Sequence, residues 1–186
     1  MNKTNLLMLV EIAIFAAVGL VLDQISFSLW AQGGSISFVM LPILVIAVRW
    51  GLSAGLVTGL LIGVLQMTTG AYILHWAQAL LDYVVAFTVV GLAGLFRHQI
   101  VEAAKNLNKK KISLYVVLGI VIGGLLRYAA HAIAGAIFFA EYAGDQNVWV
   151  YTLIYNGSYM IPAIILTAIV GSFIFTSAPR LLKTAV

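Results

Sequence analysis

Apolar runs separated by short polar segments make up most of this sequence. A helix needs about 20 mostly apolar residues to cross a bilayer, and most of the runs come close to that length or exceed it. They lack the period-two alternation that is typical of transmembrane β-strands. The pattern therefore predicts six helices, over residues 6–27, 38–48, 52–68, 76–96, 112–139 and 149–175.

The second run, residues 38–48, is too short for a complete span unless the helix is tilted or partly re-entrant. The breaks at 28–37, 69–75 and 140–148 are short, whereas 97–111 is the one strongly polar stretch. No internal repeat divides the chain. We therefore expect residues 1–186 to form a single transmembrane domain.

Composition supports a membrane location. Hydrophobic residues make up 63% of the chain and charged residues only 9%, against about 45–50% and about 25% in soluble domains. So few charges cannot cover a soluble globule, and the apolar excess has to face lipid. The predicted fold class is an all-α integral membrane protein, a six-transmembrane-helix bundle.

Basic residues fall on one side of the predicted membrane. With the N-terminus inside, the inner segments hold nine Lys and Arg residues and the outer loops hold none. The nine are Lys3, Arg49, Arg97, Lys105, Lys109, Lys110, Lys111, Arg180 and Lys183. The positive-inside rule then predicts a multi-pass protein of the cell membrane with both termini cytoplasmic. The net charge of +4 accordingly points to the lipid bilayer as partner, not to nucleic acid.

Five ionisable residues lie within predicted spans: Glu11, Asp23, Asp82, Arg127 and His131. Each costs roughly 2.5–3.5 kcal/mol to insert, so such residues are candidates for function. Helix rise puts Asp82 about 9 Å below the outer surface. His131 and Arg127 are four apart and share a helix face.

Aromatic side chains surround these groups near the outer end of the bundle. Trp30 and Tyr72 lie in outer loops, and Phe139, Tyr142 and Tyr151 lie at helix ends. Aromatic faces attract a desolvated cation, and a carboxylate neutralises it and accepts its hydrogen bonds. The combination predicts a pocket for a flat, aromatic, cationic small molecule that enters from outside.

Simpler roles remain open for several of these residues. Asp82 and Arg127 could form a structural ion pair, and Trp76 and Trp149 suit an interfacial aromatic belt. Glu11 near the inner end is expected to reach the headgroups or pair with Lys3. His131 could be a core histidine, and Asp23 is expected to be solvated or to cap its helix.

Small residues repeat at four-residue intervals on two helices. Gly51, Gly55, Gly59 and Gly63 form a stripe on the third helix, and Ala13 and Ala17 share a face of the first. Such stripes let another backbone approach closely. The approaching helix belongs either to this bundle or to a partner membrane subunit.

Several enzymatic classes lack their motifs. There is no cysteine, no Gly-rich phosphate loop and no H-E-x-x-H zinc motif, and we expect no metal, no cofactor and no catalytic residue. One enzyme alternative stays open, an intramembrane hydrolase with Ser158 as nucleophile and His131 as base. Another alternative is a structural membrane subunit that binds no small molecule.

Particular segments resemble the thiamine-specific substrate-binding (S) component of energy-coupling factor (ECF) vitamin transporters. They are residues 72–96, with Asp82-Tyr83 and Gly91-Leu92-Ala93-Gly94-Leu95-Phe96, and 127–142, with His131 through Phe139. Tyr151 and Asn156, five apart, also match. The similarity extends over most of the chain. An S-component for another small vitamin or for a thiamine precursor is the nearest alternative.

The resemblance implies six helices that hold the vitamin near the extracellular face, without chemistry on the ligand. It implies a coupling subunit that meets an alanine-rich face of the first helix, here Ala13 and Ala17, and two cytosolic ATPase subunits. The implied ligand-binding residues are Trp30, Tyr72, Asp82, His131, Gly135, Phe139, Tyr151 and Asn156.

This chain departs from the family pattern at two implied positions. The family usually has Glu where this chain has Asp82, and Trp where it has Phe139. The carboxylate and the aromatic wall are kept, but their reach and stacking area differ. A preference for a related thiazole or pyrimidine compound therefore remains open.

Overall fold

A computed structural model describes residues 3–29, 34–69 and 71–182. Each predicted apolar run forms a helix, so the all-α class is confirmed. The helices are α1 (Lys3–Gln24), α2 (Met40–Trp50), α3 (Leu52–Gln66), α4 (Trp76–Lys105), α5 (Lys109–Phe138) and α6 (Val148–Ser177). Short 3-10 turns at Ala140–Ala143 and Pro179–Leu182 follow α5 and α6.

Within the described residues, four helices are long and apolar enough to cross a membrane, namely α1, α4, α5 and α6. The other two have only 11 and 15 residues. A small antiparallel hairpin, β1 (Phe27–Ser28) and β2 (Ser35–Ile36), connects α1 to α2. The polar composition of 28–37 did not predict this pairing.

The short helix α2 lies at the centre of the bundle. Met40, Ile43, Leu44, Ile46 and Val48 are fully buried, and α2 packs against α1, α3, α4 and α6. A helix that is apolar on all sides is stable only when it is surrounded by protein or lipid. Its position explains why a run too short for an ordinary span is uniformly hydrophobic.

The fourth and fifth helices are longer than their apolar runs. The polar stretch after residue 96 continues α4 because Ile100 and Ala103 remain buried beneath it. Helix α5 begins at Lys109, three residues before its apolar run, because the Asn108 side chain accepts a hydrogen bond from the Lys111 amide.

The glycine stripe serves packing inside the protein. A side-chain carbon at Gly55 would lie 3.0 Å from the Gly91 carbonyl, and one at Gly59 would collide with the Phe87 carbonyl. At the start of α3, Gly51 has φ +103° and forms the turn from α2. The nearest atom to such a carbon at Gly55 is Ala47 Cβ of α2, so the stripe packs against α2 and α4 of the same bundle, and the alternative of a partner subunit at this stripe is wrong.

At one end of the bundle Glu11 joins α1 to α2. Arg49 Nε and Nη2 donate to its carboxylate over 2.5 and 2.8 Å, and Trp50 Nε1 donates over 2.5 Å. Arg49 Nη1 also donates to the Leu181 carbonyl (2.8 Å). The prediction that Glu11 reaches headgroups or pairs with Lys3 is wrong, because Arg49 at the end of α2 offers two donors in one plane.

Polar contacts at both ends of α1 define the helix directions. Glu11 near its start meets Arg49 at the end of α2, and Asp23 near its end accepts a hydrogen bond from Ser37, just before α2. The two helices are therefore antiparallel. Because the chain reverses again at Gly51, α1 and α3 run in the same direction.

Candidate ligand-binding site

A cavity of about 400 Å³ opens between the helices near the α4–α5–α6 junction, within the usual range for small-molecule sites. Seven of the eight predicted ligand-binding residues line it: Tyr72, Asp82, His131, Gly135, Phe139, Tyr151 and Asn156. The eighth, Trp30, lies outside the described residues. Residues from distant parts of the chain thus meet at one cavity.

Asp82 lies on an irregular part of α4. Residues Leu80–Val85 form a π-helical turn, and Val89–Phe96 continue as 3-10 helix. Single π turns in α-helices frequently mark functional sites because they redirect side chains. Here the turn brings the Asp82 carboxylate to the cavity wall, between α3 and α5.

Asp82, His131 and Arg127 form a hydrogen-bonded chain. His131 Nδ1 lies 2.8 Å from Asp82 Oδ1, and Arg127 Nε donates to His131 Nε2 over 3.3 Å. Since Arg only donates, His131 Nε2 accepts, and a neutral imidazole protonated at Nδ1 satisfies both contacts. Gln78 Nε2 donates to the other carboxylate oxygen of Asp82 over 2.7 Å.

The simple Asp82–Arg127 ion pair is therefore not formed, because His131 lies between the two side chains. The Arg127 guanidinium carbon instead lies 4.0 Å from the centre of the Phe87 ring, a cation–π contact. His131 is not an isolated core histidine either, since it holds both charged partners in place.

The formal charge of the cavity favours a cation. Among the described residues, its lining contains two carboxylates, Asp23 and Asp82, and one guanidinium, Arg127, with His131 neutral. The sum is one negative charge. A buried negative charge is costly unless it is compensated, and a ligand with one positive charge would compensate it.

Aromatic rings form two groups around the cavity. The Tyr72 and Phe139 ring centres are 6.1 Å apart, and Phe139 and Tyr142 are 6.0 Å apart. The Tyr72 and Tyr142 hydroxyls lie 3.3 Å from one another, and this hydrogen bond raises the pKa of Tyr142. On α6, Tyr151 stacks on Tyr155 with ring centres 5.8 Å apart.

Gly135 and Asn156 bring α5 and α6 together beneath these rings. A side chain at Gly135 would collide with Thr152 Oγ1. Asn156 Nδ2 donates to the Thr152 carbonyl (2.8 Å) and hydroxyl (3.0 Å), while its Oδ1 accepts from the Tyr159 hydroxyl at 2.5 Å. These bonds fix the shape of the wall.

Other lining residues were not predicted as ligand contacts. They are Asp23, Gly34, Ser35, Gln66, Gln78, Tyr83, Phe87, Arg127, Tyr142, Thr152, Tyr155 and Tyr159. Tyr155 and Tyr159 follow Tyr151 at intervals of four, and this helical spacing is a signal that would have found them. Asp23, expected to be solvated or to cap α1, is half-buried and lines the cavity, where its carboxylate accepts a hydrogen bond from Ser37.

The remaining candidates lie elsewhere. Trp76 and Trp149 are 70% and 54% exposed, as an interfacial belt requires.

The Ser158 hydroxyl donates to the Tyr155 carbonyl (2.7 Å), and both ring nitrogens of His131 are engaged by Asp82 and Arg127. In the described part of the chain, then, no hydrogen bond joins a Ser158–His131 dyad. Ala13 and Ala17 are exposed on α1.

Comparisons with known proteins agree on one family. Residues 9–183 match the family described as thiamine transporter protein (Thia_YuaJ). The chain is 47% identical to the thiamine transporter ThiT of Bacillus subtilis, covering 99% of this chain and 98% of the relative. It is 37% identical to ThiT of Lacticaseibacillus paracasei, covering 95% and 90%. The solved structure of ThiT from Listeria monocytogenes superposes with a TM-score of 0.90 at 34% identity, covering 97% and 99%.

Proposed function

Since this chain belongs to the thiamine transporter protein family, we propose that it captures thiamine for uptake as a substrate-binding membrane subunit. The observation that carries the proposal is the cavity in which Asp82, His131 and aromatic side chains converge. This function is transport, in line with the names of the relatives, and not catalysis. The identity of 47% over nearly the whole chain supports thiamine above another vitamin.

Thiamine has the chemical features that such a cavity would recognise. It joins a flat aminopyrimidine to a cationic thiazolium ring that carries a hydroxyethyl group. The ring cation matches the single formal negative charge of the lining, and flat rings match the tyrosine and phenylalanine faces. A cavity of about 400 Å³ is large enough to bury most of a molecule of this size.

Each predicted ligand-binding residue has a proposed role. Asp82 faces the cationic and amino groups of the ligand. His131, Phe139 and Tyr151 form walls, and Gly135 leaves space beside them; Trp30, outside the described residues, is assigned to the same wall by the family resemblance alone. Tyr72 and Asn156 complete the site at its edge, where the hydrogen bonds of Asn156 to Thr152 and Tyr159 hold its position.

We also propose that all six helices span the membrane and that both termini are cytoplasmic. The nine-to-zero distribution of basic residues supports this orientation. Helices α2 and α3 would cross with the help of longer neighbours, because α2 is enclosed by other helices and does not meet lipid along most of its length. Residues 1–186 would form one transmembrane domain.

Uptake would require partners, since the chain has no phosphate-binding loop of its own. We propose an ECF transmembrane coupling subunit and two ATPase subunits. The exposed Ala13 and Ala17 on α1 would allow the coupling subunit to approach closely.

The test of this function is a titration of the detergent-purified protein with thiamine, riboflavin and biotin. The four tryptophans provide an intrinsic fluorescence signal for a bound heterocycle. Saturable submicromolar binding of thiamine alone is the expected result. Selective binding of riboflavin or biotin would identify that vitamin, and not thiamine, as the ligand. A folded protein that binds none of the three would favour a structural subunit.

A further inference from the structure

Gln78 is a buried amide on α4 whose two donor hydrogens are both engaged. The residue is only 1% exposed. Its Nε2 donates to Asp82 Oδ2 over 2.7 Å and to the Tyr72 carbonyl over 3.2 Å. Its Oε1 accepts from the Leu74 amide over 3.1 Å. Because Nε2 has only two hydrogens, Gln78 has no donor left for a ligand and acts on one through the groups that it holds.

The three partners of Gln78 fix the orientation of its amide. The Asp82 carboxylate and the Tyr72 carbonyl accept hydrogen bonds, whereas the Leu74 amide donates one. A flipped amide would place its oxygen against two other oxygens and its NH2 group against an N–H. Only one orientation satisfies all three partners, so the side chain forms a defined three-way junction.

This junction joins the π turn of α4 to residues 71–75, the irregular segment that precedes the helix. Asp82 lies in the π turn, and Tyr72 lies in the segment. The Tyr72 ring centre is 6.1 Å from that of Phe139, and its hydroxyl is 3.3 Å from the Tyr142 hydroxyl. Gln78 therefore links the carboxylate in the cavity wall to the aromatic group at the cavity edge.

We propose that Gln78 is a positioning residue for ligand binding, which holds Asp82 and residues 71–75 in one arrangement before the ligand arrives. The inference rests on the proposed function, in which Asp82 and Tyr72 contact thiamine. Without Gln78, Asp82 Oδ2 would lose its donor and the segment would lose two hydrogen bonds. The ligand would then have to order both parts of the site, and this entropy loss weakens binding.

The first test is Gln78→Met, which keeps the approximate length of the side chain and removes its hydrogen bonds. Thiamine affinity, measured by isothermal titration, should fall about ten- to thirtyfold, the size of one hydrogen bond to a charged group. Gln99→Met is the matched control, because Gln99 also lies on α4 but lines a separate depression. The control should bind thiamine normally, and equal affinities of the two variants would overturn the proposal.

A double-mutant cycle with Asp82→Asn separates positioning from a general structural role. If Gln78 acts through the Asp82 carboxylate, Gln78→Met should weaken binding only about threefold or less in protein that already carries Asp82→Asn. A structural role would give the same loss in both backgrounds, and that result would contradict positioning.

Hydrogen exchange without ligand tests the other end of the junction. The Leu74 amide should exchange with deuterium faster in Gln78→Met than in the unmodified protein or in Gln99→Met, because its acceptor is gone. Unchanged exchange would exclude the link to residues 71–75. If Gln78→Met does not fold, Gln78→Asn replaces it, since its amide is one methylene too short to reach all three partners, and the same results are expected. Failure of the unmodified protein to bind thiamine would instead overturn the proposed function, whatever the exchange at Leu74.

Discussion

Asp82 is a carboxylate that donors hold on both sides at the cavity wall. Its two carboxylate oxygens meet His131 Nδ1 and Gln78 Nε2, and its helix has a π turn at this point. A carboxylate with both oxygens held by donors is fixed in direction before a ligand arrives. Such preorganisation reduces the entropy that is lost on binding.

We predict that Asp82→Asn weakens thiamine binding by about 1.5–3 kcal/mol, the contribution of a hydrogen bond to a charged group. The amide keeps the size of the side chain and removes its charge. Isothermal titration measures the change. Asp145→Asn, an identical change in an exposed loop, is the control and should bind normally. Equal affinities of the two variants for thiamine would show that Asp82 does not take part in binding.

At the level of single elements, α3 and α4 show how closely two helices approach when glycine lines the contact. Gly59 and Gly63 face the carbonyls of Phe87 and Tyr83. Tyr83 is the neighbour of Asp82 in the π turn, so the stripe supports the wall of the cavity from behind. The packing of α3 thereby determines the position of the Asp82 carboxylate at the cavity wall.

Gly59→Ala should lower the free energy of unfolding by about 1–3 kcal/mol, because the new methyl meets backbone that cannot move aside. Gly157→Ala is the control, since a side-chain carbon there lies 3.6 Å from its nearest neighbours. Alanine should leave stability unchanged there or raise it by up to about 1 kcal/mol. Thermal unfolding in detergent measures both variants, and equal melting temperatures would contradict the backbone contact.

The sequence predicted the helices and part of the cavity lining, but not the local geometry of the site. The long apolar runs predict the helices. Seven of the lining residues are predicted by the family resemblance, in which their spacing is preserved. The π turn at Leu80–Val85 has no comparable signal, because it arises from packing between α3 and α5. Asp23 and Gln66 were not predicted as lining residues of the cavity for the same reason. Their places in the cavity wall depend on how α1 and α3 pack, which hydrophobic patterning does not specify.

For the whole molecule, the absence of cysteine makes the proposed orientation directly testable. Asp145→Cys in an outer loop should react with a membrane-impermeant maleimide on intact cells. Lys110→Cys, at the start of α5, should react only after the membrane is permeabilised. The reverse pattern would invert the topology, and labelling of both on intact cells would contradict the single span, α5, that separates the two positions.

The proposed docking to a coupling subunit also concerns the whole molecule. The double variant Ala13→Trp, Ala17→Trp should abolish cellular thiamine uptake and leave binding by the purified protein unchanged, because bulky rings block the close approach of a helix. Ile165→Trp with Ile169→Trp, on the exposed side of α6, is the control and should transport normally. Normal uptake by the alanine variant would exclude this face.

The backbone contact between α3 and α4 has a consequence for motion. Backbone amides at this contact can exchange with deuterium only when the two helices separate. Such a separation is among the openings of a fold that cost the most free energy. The segment that carries Asp82 should therefore be among the slowest to exchange. A ligand wall of this kind does not rearrange locally, so release on the far side of the membrane would require the bundle to turn as one body.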